Sequence, residues 1–411
     1  MIFRPLVKFN VTITLGSSRS HKKALAIARI ATFLDSVVEL EIGEKPRYLF
    51  QFQYLFSSTL FTLLRALPAM RQLHTMHLSS IFLLETDLYC ILSSPHLTHL
   101  RLYAIQMPKM SRFPPPNPNL RKLTLMSMVS WDVRPLLVHL AASLEYLELR
   151  SAKPNFWYRS QLQLPFFPSL RELHHLQYDY GNEAMLDELF QVSQVTHLHL
   201  SGTFNSSRIA AFPKSLQHLS TEHEMLSQQT LGTTPMAQLI SLSIRVSVYW
   251  DMIRPLPTLS AFVGDHFPGV TSLHLDIPWS LLNVALVVAR SQHNVRAVEL
   301  SISIDGRPDS EGEWDLCHVR TYHRNNMLPG VLQSLRLDVF QDYGELEPSL
   351  AQLTRWIDDD VVHPVTGLGG SDLKSIDVSF ILHKRGLGRE RRIWKRWAKL
   401  SDGVWRIEGA L

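Results

Sequence analysis

Histidine, tyrosine and basic residues recur in this chain at every second position of short apolar segments. His99, Arg101 and Tyr103 make one group, Lys122, Thr124 and Met126 the next, then Tyr146, Glu148 and Arg150, then Glu172 and His174. The pattern runs on through His197, His199 and Ser201, through His218, Ser220 and Glu222, and through Ser241, Ser243 and Arg245. Alternate residues of an extended segment share a face. Rings and cations gathered on one face suit macromolecular contact, because such side chains are enriched at binding hot spots. His99, Arg101, Tyr103, Lys122, Tyr146, Glu148, Arg150, His174, His197, His199 and His218 are therefore the candidate partner-binding residues. The histidines also admit a second chemistry. His174, His197, His199 and His218 on neighbouring strands, about 5 Å apart, could share a metal or a pH-sensitive patch. Hydrated surface imidazoles are the plainer reading, and no metal ligand is assigned.

Covalent chemistry finds less support. Gly16-Ser17-Ser18-Arg19-Ser20 lacks the second Gly and the Lys-Ser/Thr pair that would cradle a phosphate. No G-x-S-x-G, H-E-x-x-H or Cys-x-x-Cys occurs. Asp358-Asp359-Asp360 with His363 suggests a metal only superficially, since three acids at a helix C-terminus oppose its dipole and point to the start of a loop. A non-enzyme without cofactor is expected.

Thirteen copies of one phrase must position these residues. L-x-x-L-x-L appears at Leu97-Leu100-Leu102, Leu120-Leu123-Leu125, Leu144-Leu147-Leu149, Val195-Leu198-Leu200, Leu239-Leu242-Ile244 and Val270-Leu273-Leu275. Looser copies start at Val37, Leu73, Leu170, Leu216, Val295, Leu332 and Leu373, and spacings run from 21 to 41 residues. The alternating end of the phrase predicts a strand with one buried face. Between strands, Asp132 to Ala142, Glu183 to Val192 and the stripe Leu346, Leu350, Leu353, Ile357 have helical spacing. Strand and helix in alternation predict an α/β solenoid, an arc or horseshoe with parallel strands on its concave face and helices on its convex face. Regular repeats place Asn or Cys three residues after the last Leu. Ile105, Met128, Ala152, Thr203 and Ser247 stand there instead, so the turns need other partners. Asp305 to Pro329 reads as an insertion loop, a binding loop or merely a tolerated one, and Val361 to Asp372 as a flexible connection.

Residues 1–36 predict a capping strand (Leu6 to Leu15) and helix (His21 to Leu34), residues 37–380 the repeats, and residues 381–411 a basic cap or tail. Between His383 and Lys399 eight Lys/Arg face one acid, a net +7 that leaves the remaining chain at −3 of a total +4. A body that coats nucleic acid is not indicated. The basic stretch has three readings: a localisation signal or acidic-partner contact, a membrane-surface contact through Trp394 and Trp397, or a cap helix with Ile393, Trp397 and Leu400 on its apolar face. Two distant cysteines, Cys90 and Cys317, favour a reducing compartment. Charge and Pro interrupt the first residues, and the longest apolar run is far too short for a bilayer. A cytoplasmic or nuclear protein is expected.

Degenerate repeats of this kind resemble the leucine-rich-repeat portion of fungal F-box proteins over roughly Lys8 to Phe380. The segment Asn10 to Ser20, a following helix and Val37 to Ile42 resemble the passage from an F-box into its first repeats. The resemblance implies an intracellular subunit that holds a substrate on its repeats for a cullin-type ubiquitin ligase. No Leu-Pro-x-Glu opening precedes the first repeat, so adaptor binding is carried over to no residue here. A repeat-only binding scaffold is the alternative.

Overall fold

Each L-x-x-L-x-L phrase becomes a strand whose leucines alternate inward. The computed structural model describes residues 9–15, 18–30, 36–44, 53–105, 108, 110–126, 133–151, 163–177, 183–201, 212–222, 236–246, 266–278, 288, 293–304, 332–343, 372–384, 389–399 and 405–410. The insertion expected over Asp305 to Pro329, the stripe from Leu346 to Ile357, the Asp358–Asp360 triplet, His363 and most of the Val361 to Asp372 connection lie outside these residues. The chain forms two units, Met1–Leu216 and Gln217–Leu411.

In the first unit, strands β1 (Phe9–Leu15), β2 (Val37–Glu44), β3 (Thr75–Ser79), β4 (His99–Tyr103), β5 (Lys122–Met126), β6 (Tyr146–Ser151), β7 (Glu172–Gln177) and β8 (His197–Ser201) lie side by side in chain order. Every pairing is parallel. Helices α1 (Ser18–Arg29), α2 (Gln53–Ala66), α3 (Glu85–Leu92), α4 (Arg134–Leu140) and α5 (Glu183–Gln191) occupy connections between strands. Parallel neighbours require such crossovers. The α4 helix starts with Pro135 in its first turn and buries Leu136, Leu137 and Leu140, as the apolar spacing over Asp132 to Ala142 predicts.

Two inward rows form the core. One runs Leu40, Met76, Leu100, Leu123, Leu147, Leu173 and Leu198; the other runs Ile42, Leu78, Leu102, Leu125, Leu149, His175 and Leu200. All are buried. In the second unit β9 (His218–Glu222), β10 (Ser241–Arg245), β11 (Ser272–Pro278), β12 (Ala297–Ile304), β13 (Ser334–Tyr343) and β14 (Ser375–Lys384) are again parallel and in chain order. Leu219, Leu242, Leu273, Val298, Leu335 and Ile376 continue the same kind of buried row.

Two ladders of hydrogen bonds join successive repeats. Just before four of the phrases stands a polar residue whose side chain binds a carbonyl of the preceding repeat. Asn119 donates to the Pro95 carbonyl (2.8 Å), Ser143 to Leu120 (3.0 Å), Ser215 to Val195 (2.8 Å) and Asn294 to Pro268 (2.8 Å). One position into the phrase, the backbone N–H bonds the carbonyl one repeat earlier: Thr98 to His74, Arg121 to Thr98, Glu145 to Arg121, Arg171 to Glu145 and Thr196 to Arg171. Thr98 and Thr196 add their hydroxyls to the same carbonyls, at 3.0 and 3.3 Å. These bonds give partners to turn carbonyls on the side where each strand is entered.

The C-terminal segment corrects an expectation. Ile393 and Trp397 do not share a helix face. They lie on β15 (Arg389–Lys399), which runs antiparallel to β14 and is followed by antiparallel β16 (Trp405–Ala410). A spacing of four fits one face of a strand as well as one face of a helix, because four is a multiple of two. The open edge of β14 decides between them by supplying backbone partners. Trp397 is buried opposite Ile376 and extends the apolar row by one rung. Among the described residues no helix is long and apolar enough to cross a membrane.

Candidate interaction face

The outward positions of β4 to β8 form three rows. The first holds His99, Lys122, Tyr146, Glu172 and His197; the second Arg101, Thr124, Glu148, His174 and His199; the third begins with Tyr103, Met126 and Arg150. In-register parallel pairing sets these side chains about 5 Å apart along a row.

Glu148 is the centre of the polar network. Its Oε2 accepts from Thr124 Oγ1 (3.1 Å) and Tyr146 Oη (3.0 Å), and its Oε1 accepts from Arg150 Nε (2.6 Å). Burial opposes ionisation of this carboxyl, but the bonds from Tyr146, Arg150 and Thr124 prevail and hold it below the usual carboxylate range. Tyr146 responds oppositely. Burial first, then the adjacent Glu148 charge, push its phenol well above its ordinary value, so it stays a donor. Thr124 gives its single proton to the carboxylate, so His99 Nε2, 3.2 Å away, must donate to the Thr124 oxygen. Burial, reinforced by Arg101 and Lys122, lowers the His99 pKa to about 4 and keeps the ring neutral. Arg101 Nε lies 3.4 Å from the same ring nitrogen.

A file of rings runs across these strands. His99 and Tyr146 meet edge to face at 6.2 Å, Tyr146 and His174 are tilted at 5.0 Å, and His174 stacks on His199 at 5.2 Å. Lys122 Nζ sits 5.9 Å from the Tyr146 ring centroid, within cation–π reach. His174 Nε2 is 2.7 Å from Glu172 Oε1. Of the four histidines read together in the sequence, His174 and His199 are in ring contact. His197 lies one row away, its Nδ1 2.9 Å from Thr196 Oγ1. His218 belongs to the second unit. Among the described residues no group of three His, Cys, Asp or Glu is placed to hold a metal.

Two features escape a reading of alternate positions. His175 points inward from β7 and is 1% exposed. The phrase signals it weakly, since it takes the place of the last Leu in Leu170-Leu173-His175. The outward face of the second unit is also more structured than its serines suggest. Ser243, His274 and Ser301 are joined across β10 to β12 at 3.2 and 2.9 Å. Arg245 binds Asp276 (2.7 Å), Arg336 reaches Glu299 (3.5 Å) and Asp338 (2.9 Å), Ser379 donates to Asp338, and Arg396 binds Asp377 (2.9 Å). Alternation in the later phrases marks these residues as outward but does not name their partners. Opposite charges on adjacent strands strap this face to itself.

Parallel in-order strands, inward leucine rows at each phrase and turn-to-turn ladders define an α/β leucine-rich-repeat solenoid. No protein-family model matches the chain, and no curated protein does. Among solved structures, the leucine-rich-repeat-containing protein LegL7 from Legionella pneumophila aligns at 15% identity with a TM-score of 0.34, covering 93% of this chain and 92% of its own. The fold assignment rests on the strand order and the ladders.

Proposed function

We propose that this chain recognises another protein through the outward face of β4 to β8, the face expected to be concave. The observation that carries this reading is the file of rings from His99 to His199 flanked by Arg101, Lys122 and Arg150. Half-buried rings cost little side-chain entropy on binding and offer large contact areas. The second unit supports the choice by contrast, since several of its outward charges already answer one another. No residue on the β4–β8 face is assigned a catalytic role. A tagged full-length chain, recovered from cells with its partners, tests the reading. Ala at Arg101, Tyr103, Tyr146 and Arg150 together should abolish partner recovery; retention of the same partners would refute it.

The finer reading is that the captured protein is a degradation substrate. It rests on the resemblance of the repeats to those of F-box proteins, which would place the chain in the cytosol or nucleus. Recovery of a cullin and its adaptor in the same experiment would establish it. A stable partner recovered without them would make the chain a repeat-only scaffold.

A further inference from the structure

The charges on the β4–β8 face are unequally answered. Glu41, two strands beyond it on β2, accepts from Thr12 and lies 3.5 Å from His77. Glu148 has Thr124, Tyr146 and Arg150. Glu172 has His174. Arg101 and Lys122 differ. Both are exposed, and among the described residues neither has a carboxylate within ion-pair distance. The ring between them, His99, is neutral and already spends its Nε2 proton on Thr124. Two full positive charges therefore stand over a face whose acids are all engaged.

Their spacing narrows the ligand. His99 pairs with Lys122 and Arg101 with Thr124, so Arg101 and Lys122 are diagonal neighbours on β4 and β5. With strands about 4.8 Å apart and alternate residues about 6.6 Å apart along each, such a diagonal spans about 8 Å. Alternate side chains of an extended peptide are about 6.6 Å apart on one side. Exposed Tyr103 follows Arg101 on the same strand face and offers an aromatic surface beyond the cations.

We infer that the partner presents an extended acidic segment of the form Asp/Glu-x-Asp/Glu, with one carboxylate on Arg101 and the other on Lys122. The inference rests on the reading of the β4–β8 face as the docking surface. Charge complementarity selects an acidic segment over a neutral or basic one. The two cations stand on separate strands, which suits two carboxylates better than one phosphate.

Selection from a displayed library of random peptides on the immobilised full chain tests this. Enriched peptides should carry the acid-x-acid pattern. A labelled enriched peptide should bind at least tenfold more weakly to Arg101→Glu/Lys122→Glu, and should be unaffected by Arg245→Glu on the second unit. Both variants change exposed side chains, and an unchanged unfolding midpoint verifies their folding. Three outcomes overturn the inference. Enriched peptides without acids that are lost on Tyr103→Ala/Tyr146→Ala would leave the face as the docking surface but refute the acidic ligand. Peptides requiring a phosphate in place of carboxylates would do the same. Peptides insensitive to every substitution on this face, or no enrichment, would refute both readings.

Discussion

His175 on β7 stands in register with Leu149 on β6, in a buried row that elsewhere in the first unit is Leu or Ile. Burial lowers its pKa from 6.5 to about 3. The unfolded chain therefore takes up a proton that the folded chain refuses. The stability contribution is fully present above pH 6.5 and is lost as pH falls from there towards 3. Between pH 7 and pH 5 this single group should cost the fold about 2 kcal/mol, at roughly 1.4 kcal/mol per pH unit. His175→Leu should flatten that part of the profile and raise stability at pH 5. Urea unfolding at the two pH values checks it; an unchanged slope in the variant would reject the assignment.

Glu148 holds three donors, of which Thr124 is buried and Tyr146 half-buried, so its loss strands those two. Glu148→Ala should destabilise the first unit by about 1–3 kcal/mol, the range for leaving buried polar groups unsatisfied. Arg150→Ala removes only a half-exposed partner and should cost under about 1 kcal/mol. Denaturant titration of the two variants measures the difference. Equal effects would mean that the Thr124 and Tyr146 bonds contribute nothing.

Trp397 closes the apolar row of the second unit from an antiparallel strand, opposite Ile376. Trp397→Ala should cost about 3–5 kcal/mol, as large aromatic truncations in cores do. Hydrogen exchange should show the loss at β14 and β15 first, because each strand of a stacked fold leans on its neighbours. A uniform change, or none, would argue that this strand does not cap the row.

Gly269 marks the closest approach of two turns. A Cβ there would come 2.1 Å from the Ala237 carbonyl oxygen, a backbone atom. Met236 N–H donates to the His266 carbonyl at 2.7 Å beside it, so the turns have little room to part. Gly269→Ala should destabilise the second unit by about 1–3 kcal/mol, the usual cost of overpacking. A thermal midpoint equal to that of the unchanged chain would contradict this.

The strand at each phrase was legible from one dimension because the leucine alternation is local and repeats. Leu97-Leu100-Leu102 and its copies specify which residues turn inward, and so which turn outward, before any contact is known. The outward set His99 to His199 followed directly. The same local logic failed for Ile393 and Trp397, where two periodicities share a spacing of four. An open strand edge, invisible in sequence, chose between them. For the turns the same logic gave only the lack of the regular Asn, not the bonds that Asn119, Ser143, Ser215 and Asn294 make to the preceding repeat.

Sequence by itself determined the repeat, the inward rows and the side-chain types on the outward face, since each depends on alternation within a few residues. Tertiary structure alone decided the register between strands, and with it every relationship that spans two repeats. Thr124 meets Glu148, His174 stacks on His199 and Arg336 reaches Glu299 because parallel strands align them. Those pairs are 24 to 37 residues apart in the chain, and loops of unequal length separate them. Only the hydrogen bonding of one strand to the next removes that freedom. It is also what leaves Arg101 and Lys122 without a carboxylate partner among the described residues, as neighbours on an otherwise satisfied face.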